Sequence, residues 1–178
     1  MSATFQNSTF SDKLTLIRDA MIAKPVAGFP DSIFTAIESR LHITIPELLK
    51  DVYRVLGNHM ELLDAQYHIA MPDDLSVNGD VLVFAAENQF AHFYGIHLPT
   101  QFPVYLDYDN PVAAQLDQSL SDFLLFLLGL QCTGYARAVA AISPDAPFTA
   151  HLSLVSDEDD DGAIYCRPGQ LLAVWAGE

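Results

Sequence analysis

The densest group of residues that could do chemistry in this 178-residue chain is Asp157-Glu158-Asp159-Asp160-Asp161-Gly162. Counted from Asp157, aspartates stand at positions one, three and five of a calcium loop, with Gly162 at six and Ile164 at eight. A hard cation takes oxygen ligands, so the pattern fits one up to that point. The twelfth position, where a bidentate Glu would close the shell, is Pro168. The flanks read as strands rather than helices. A solvated hairpin tip is the preferred reading. A surface for a partner and a weak calcium site are the alternatives.

Other constellations are thinner. His92 and His97 are five apart, so on one strand they point to opposite faces, and His42, His59, His68 and His151 are isolated. Zinc needs clustered ligands, so no metal or other cofactor is expected. No Gly-x-Ser-x-Gly elbow occurs, and the scattered glycines build no phosphate loop. Cys132 reads as a packed thiol rather than a nucleophile. Glu87-Asn88-Gln89 could be a catalytic polar trio, but a hairpin turn explains it with less. Turns likewise account for the carboxylate pairs Asp73/Asp74 and Asp107/Asp109. No catalytic residues are assigned.

These groups must be positioned by a sheet built around residues 81–98. Val81–Ala86 is apolar at both parities, which predicts an internal strand with Val81, Val83 and Ala85 on one face and Leu82, Phe84 and Ala86 on the other. After the polar turn, Phe90–Leu98 reads as its hairpin partner. Pro103–Tyr108 follows as a strand placed at the sheet edge by its proline, and Asp109-Asn110-Pro111 turns the chain. Residues 1–8 are expected to fray.

Phe10, Leu14, Ile17 and Met21 recur at helical spacing, with Thr9 or Ser11 as cap. Asp31 is read as the cap of a second helix carrying Ile33, Phe34, Ile37 and Leu41. Thr44 and Glu47 predict a capping box for a third helix, with Pro46 in its first turn and Leu49, Val52, Tyr53 and Leu56 as its buried stripe. Ser119 with Asp122 starts a helix that is apolar nearly all round through Leu130, the mark of a core helix. Thr133–Ile142 is ambiguous between helix and strand. His151–Val155, Ala163–Cys166 and Leu171–Trp175 read as strands, the last two joined by the turn at Arg167-Pro168-Gly169-Gln170.

The net charge of −15 is unevenly placed. Residues 1–54 hold six Lys/Arg and six Asp/Glu, whereas residues 55–178 hold 17 Asp/Glu against Arg137 and Arg167 alone. Such a balance disfavours nucleic acid, which needs a basic footprint, and favours a basic partner. Solubility alone is the bland alternative. The longest apolar run is too short to span a bilayer, so no membrane role is expected. The N-terminus lacks the features of a signal peptide, and two cysteines make no disulfide framework, so a cytoplasmic location is expected.

Ala86-Glu87-Asn88-Gln89, followed by an aromatic pair and Gly95-Ile96, resembles the central hairpin of the SUKH superfamily. That superfamily includes bacterial toxin-immunity proteins and fungal cell-wall-assembly regulators. Many members carry Trp before the glycine, where this chain has Tyr94. The Pro-led segment Ile45–Asn58, the lead-in Leu62–Leu75 and the Ser119-headed helix extend the resemblance over residues 44–131.

The fold expected is one α+β domain over residues 1–178. It has a mixed, largely antiparallel sheet of about four to six strands with helices packed on it, and a C-terminal β extension. The resemblance implies a non-catalytic immunity protein that occludes a basic, nuclease-type toxin. Regulatory scaffold without a toxin partner is the first alternative, and an uncharacterised hydrolase or calcium-binding protein the second. Charge alone nominates the partner-binding residues: Asp73, Asp74, Asp107, Asp109, Asp157, Glu158, Asp159, Asp160 and Asp161.

Overall fold

Local periodicity becomes three amphipathic helices in the first third of the chain. The structure, a computed structural model, describes residues 9–22, 24–107 and 113–133 and the backbone of three C-terminal strands. Helix α1 (Phe10–Met21) starts on Thr9, whose hydroxyl accepts from the Asp12 amide while its own amide donates to Asp12 Oδ2 at 2.9 Å. Leu14 and Ile17 are buried.

Helix α2 (Asp31–Leu41) corrects one expectation. Pro30 is the cap, Asp31 is the first helical residue, and the Asp31 carboxylate accepts from Arg54 Nε at 2.9 Å instead of capping. Helix α3 (Glu47–Leu56) corrects another, because the Thr44–Glu47 box does not form and Pro46 is the cap. Glu47 is drawn to Arg54 Nη1 at 3.1 Å, and the Ile45 amide donates to Glu38 Oε1 at 2.9 Å. The stripe Leu49, Val52, Tyr53 and Leu56 is buried as read. Gly28 lets the α1–α2 connection run against the end of α3, since a Cβ there would lie 2.0 Å from the Arg54 carbonyl oxygen.

A short α4 (Met60–Leu63) leads into the sheet. Its strands are β1 (Tyr67–Ile69), β2 (Ser76–Asn78), β3 (Val81–Glu87), β4 (His92–His97), β5 (Phe102–Asp107) and β6 (Ala114–Gln115). The order is β1-β3-β4-β5-β6, β2 also pairs with β3, and every pairing is antiparallel. The α+β reading holds, with β3 internal as its two-faced apolarity required. Strand β5 is not the edge, because Val104 and Tyr105 pair with β6. Strand β4 begins at His92; Phe90 lies in the turn, with its amide donating to the Glu87 carbonyl at 2.8 Å.

The faces of β3 also differ from the simple alternation. Val83 pairs with Gly95, but Ala85 pairs with Tyr94, so Phe84 is an extra residue in a β-bulge. The bulge reverses the parity of the residues after it. Leu82, Phe84 and Ala85 belong to the core beneath the helices, and Ala86 pairs with Phe93 on the opposite face. That face carries a second apolar cluster, Val81, Val104 and Leu106, to which no described helix residue contributes. Gly95 permits the cluster to close, since a Cβ there would lie 2.3 Å from Val81 Cγ1.

Helix α5 (Leu120–Thr133) starts as read, with the Asp122 amide donating to Ser119 Oγ at 3.2 Å. Phe123, Leu124, Leu127 and Leu128 are buried. Strands β7 (Ser153–Glu158), β8 (Gly162–Arg167) and β9 (Gln170–Trp175) form a separate antiparallel sheet, with β7 and β9 against α5 and β8 and β9 against α1. One side of α5 meets the large sheet, where Phe123 contacts Phe84 and Tyr94, and the backbone of β7 and β9 also lies against it. A helix flanked by two sheets is apolar all round. Its one deeply buried amide, Gln131, donates to the Tyr67 carbonyl at 2.6 Å and accepts from the Tyr67 amide at 2.7 Å. The side chain thus takes the place of a neighbouring strand on β1.

The expected fraying of residues 1–8, the turn 109–111, the assignment over 134–142, His151 and the turn at Pro168-Gly169 lie outside the described residues.

Candidate functional site

The bulge in β3 and the break between β1 and β2 make a groove on the side of the sheet away from the helices. Its volume is about 380 Å³. Val83, Ala86 and Phe93 lie beneath it; Met71, Asp74 and Ser76 form one wall, and Asp64, His68 and Phe90 the other. The cause is local. Strands β1 and β2 pair with different ends of β3, and residues 70–75 leave the sheet between them. The bulge then places Ala86, rather than Ala85, beside Phe93, and either leaves room above the strand.

Both walls are held. The Ala70 amide donates to the Phe84 carbonyl at 2.8 Å, and the phenol of fully buried Tyr53 donates to the Ala70 carbonyl at 2.5 Å. Arg40 Nη2 donates to the Asp73 carbonyl at 2.9 Å and to that of Leu75 at 3.4 Å. Burial drives the Tyr53 phenol far above its ordinary pKa, with nearby Asp74 adding to the effect, so it stays a neutral donor. On the other wall the Phe90 ring stacks on His68 at 4.9 Å and 6°, while His68 Nδ1 meets the Asp64 carboxylate. Phe90 is 53% exposed and has φ of 56°, a conformation uncommon for a bulky residue. The ring is thus held outward at the mouth of the groove instead of joining the core.

A second cluster sits on the helix side of the hairpin. Tyr105 Oη and His92 Nδ1 are 2.5 Å apart, and His92 Nε2 is 3.9 Å from Glu87 Oε2. Tyr94 lies at the centre, edge-on to Tyr67 and Tyr105 at 5.7 and 5.9 Å. Burial, then Tyr67, Tyr105 and Glu87, push the Tyr94 phenol up to about 12. Desolvation, with Asp107 and Glu87, also raises Tyr105. Phenols raised in this way remain protonated at neutral pH and act as hydrogen-bond donors, not nucleophiles.

Of the nine nominated acids, the side chains of Asp73, Asp74 and Asp107 are described, and they fall at two separate places. Asp73 and Asp74 are exposed on the 3₁₀ turn Pro72–Asp74, and Asp74 lines the groove together with Asp64, which the sequence reading passed over. Asp107 pairs across from His92 at the end of β5, beside the tyrosine cluster. Asp157 and Glu158 are in β7, paired with Ala163 and Gly162. Positions one and six of the supposed calcium loop therefore stand in paired strands, the geometry of a hairpin. Asp109 and Asp159–Asp161 lie outside the described residues. Among the described residues, no three His, Cys, Asp or Glu come close enough to hold a metal ion. Phe90, Met71 and Tyr105 were not nominated, and His68 and Glu87 were weighed and set aside. The readable signal was Phe90, an aromatic stranded in a polar turn.

The cations are distributed as unevenly as the fold. Among the described residues, the ion pairs of Lys and Arg all join partners between Arg18 and Arg54. Lys50 pairs with Glu38 at 2.8 Å, and Arg54 with Asp31, Glu47 and Asp51 at 2.8 to 3.1 Å. On the sheet, Asp64 and Glu87 meet only the histidines His68 and His92 in such pairs. No helix of the described residues is long and apolar enough to cross a membrane.

No protein-family model, curated protein or solved structure matches the chain.

Proposed function

We propose that this chain is a non-catalytic binding protein whose partner is a basic protein. Within that class we favour an immunity protein of the SUKH kind, acting in the cytoplasm to occlude a nuclease-type toxin. One observation carries the reading: among the described residues, the ion pairs of lysine and arginine lie within the helices, and none reaches Asp64, Asp73 or Asp74 beside the sheet. A protein that needed acidity for solubility alone has no reason to segregate it by layer. A nuclease needs a basic patch to hold phosphates, and an acidic surface competes for that patch. The same surface repels nucleic acid.

The mechanism is occlusion. Complementary charge speeds encounter, and contact then excludes the substrate. The test is co-expression with a basic reading frame that neighbours the gene. Cells that survive only when this protein is present support the reading. Cells that die either way defeat it. In the purified pair, the association rate should fall steeply with salt while dissociation changes less, because exposed charges are screened beyond about 8 Å at physiological salt.

A further inference from the structure

We propose that the groove beside the β3 bulge takes an extended segment of that basic partner, one apolar side chain entering it and a lysine or arginine meeting each rim. The inference rests on the reading that the partner is basic, and it adds where the partner docks and what it presents.

Size and lining set the central element. A cavity of about 380 Å³ floored by Val83, Ala86 and Phe93 accommodates a side chain of leucine or phenylalanine size with its backbone. Met71, an adaptable thioether side chain, lines one wall, and the Phe90–His68 stack lines the other. Charge sets the flanks. Asp64 and Asp74 line opposite walls, Asp73 is next to Asp74, and no lysine or arginine occurs between Val55 and Ala136. The nearest described cation, Arg40, is spent on the carbonyls of Asp73 and Leu75.

A second copy of the chain fits poorly. It also carries −15, and joining the two grooves would set carboxylates against carboxylates. Preorganisation favours a docking role. Tyr53 and Arg40 fix the 70–75 wall from the helix side, so little ordering cost falls on binding.

The test uses the full chain, isotope-labelled, titrated with three capped tripeptides: Lys-Leu-Lys, Lys-Ser-Lys and Glu-Leu-Glu. Lys-Leu-Lys should shift the amides of Ala70, Asp74, Ala86 and Phe90, and the other two should bind at least about tenfold more weakly. Asp74→Lys and Phe90→Ala should each weaken Lys-Leu-Lys about fivefold or more, with the circular dichroism spectrum unchanged. Equal binding of Glu-Leu-Glu overturns the proposal, as does any pattern of shifts that avoids the groove. With the partner protein in hand, wild-type affinity of both variants overturns the groove assignment and leaves the proposed function standing. A protein with no basic partner defeats the proposed function, and the tripeptide series still decides the chemistry of the groove.

Discussion

The two faces of the six-stranded sheet are built from the same strands and do different work. Toward the helices, Leu82, Phe84, Ala85 and Ile96 join a continuous core with residues of α1 to α5. Away from them, the buried cluster among the described residues is Val81, Val104 and Leu106, with buried Ala86 on the same face, all from strands, and the groove opens at one end of it. Stability is concentrated where two layers meet, because that is where apolar area leaves water. A face freed from that task can keep a half-buried Phe93, an exposed Phe90 and the carboxylates of Asp64 and Asp74, which form no ion pair with a described lysine or arginine. The charges repeat the division: Arg54 and Lys50 tie helices together, while Asp64 and Asp74 line an opening.

The comparison is broken most directly by truncating each face of β3. Phe84→Ala should cost about 3–5 kcal/mol, read from the denaturation midpoint, because it leaves a cavity against Phe123. Val83→Ala, one residue away and half-buried at the groove, should cost about 1 kcal/mol. Equal costs would mean that the faces are energetically alike and that the groove face is a second core.

Next in size is the link between the faces. Tyr53→Phe removes the donor to the Ala70 carbonyl and should cost about 1–2 kcal/mol. It should also speed hydrogen exchange at the Asp74 and Leu75 amides, whose acceptors are in the same wall. A loss of stability with unchanged exchange would show that the wall holds itself.

Within the helical layer, Glu38→Gln should cost about 1 kcal/mol at neutral pH. The hydrogen bond from Lys50 is the main cause that holds the Glu38 carboxyl below its ordinary value of 4.5; burial opposes it, and the Ile45 amide helps. A depressed carboxyl contributes stability above its unfolded pKa and loses it as pH falls through the folded value. The wild-type and Glu38→Gln stability curves should therefore converge in acid and separate as pH rises past 4.5. Parallel curves would assign the effect to shape rather than charge.

The smallest stability effect is expected at the groove rim. Asp74→Lys should change stability by no more than about 0.5 kcal/mol, because Asp74 is exposed. On the proposed reading, its effect falls on partner association instead. A larger cost would place Asp74 among the structural charges and dissolve the division between the layers.

Much of the fold was legible because its causes are local. Helical stripes at Leu14/Ile17 and Leu49/Val52/Tyr53/Leu56 follow from periodicity, and the caps at Thr9 and Ser119 join residues three apart. The Thr44–Glu47 box carried the same signal and failed, because Arg54 and Lys50 drew Glu47 away and Glu38, from the preceding helix, took the Ile45 amide. Only Asp74, with its neighbour Asp73, was nominated from the candidate site, since runs of acids are visible in one dimension and their gathering is not.

By itself the sequence determined helices α1 to α3 and α5 and strands β3 to β5 and β7 to β9, but not α4, β1, β2 or β6; it also determined that β3 is internal, that α5 is buried, and that the acidic surplus lies beyond residue 54. These depend on side-chain pattern and composition, which are properties of the chain. Tertiary structure decided the rest. A single extra residue at Phe84 reversed which face Ala85 and Ala86 occupy, and that bulge exists only in the pairing with β4. Gln131 found the Tyr67 backbone across 64 residues, and Phe90 found His68 across a hairpin. Register and contact at such separations are set by the competition of whole surfaces for burial, which no local spacing encodes.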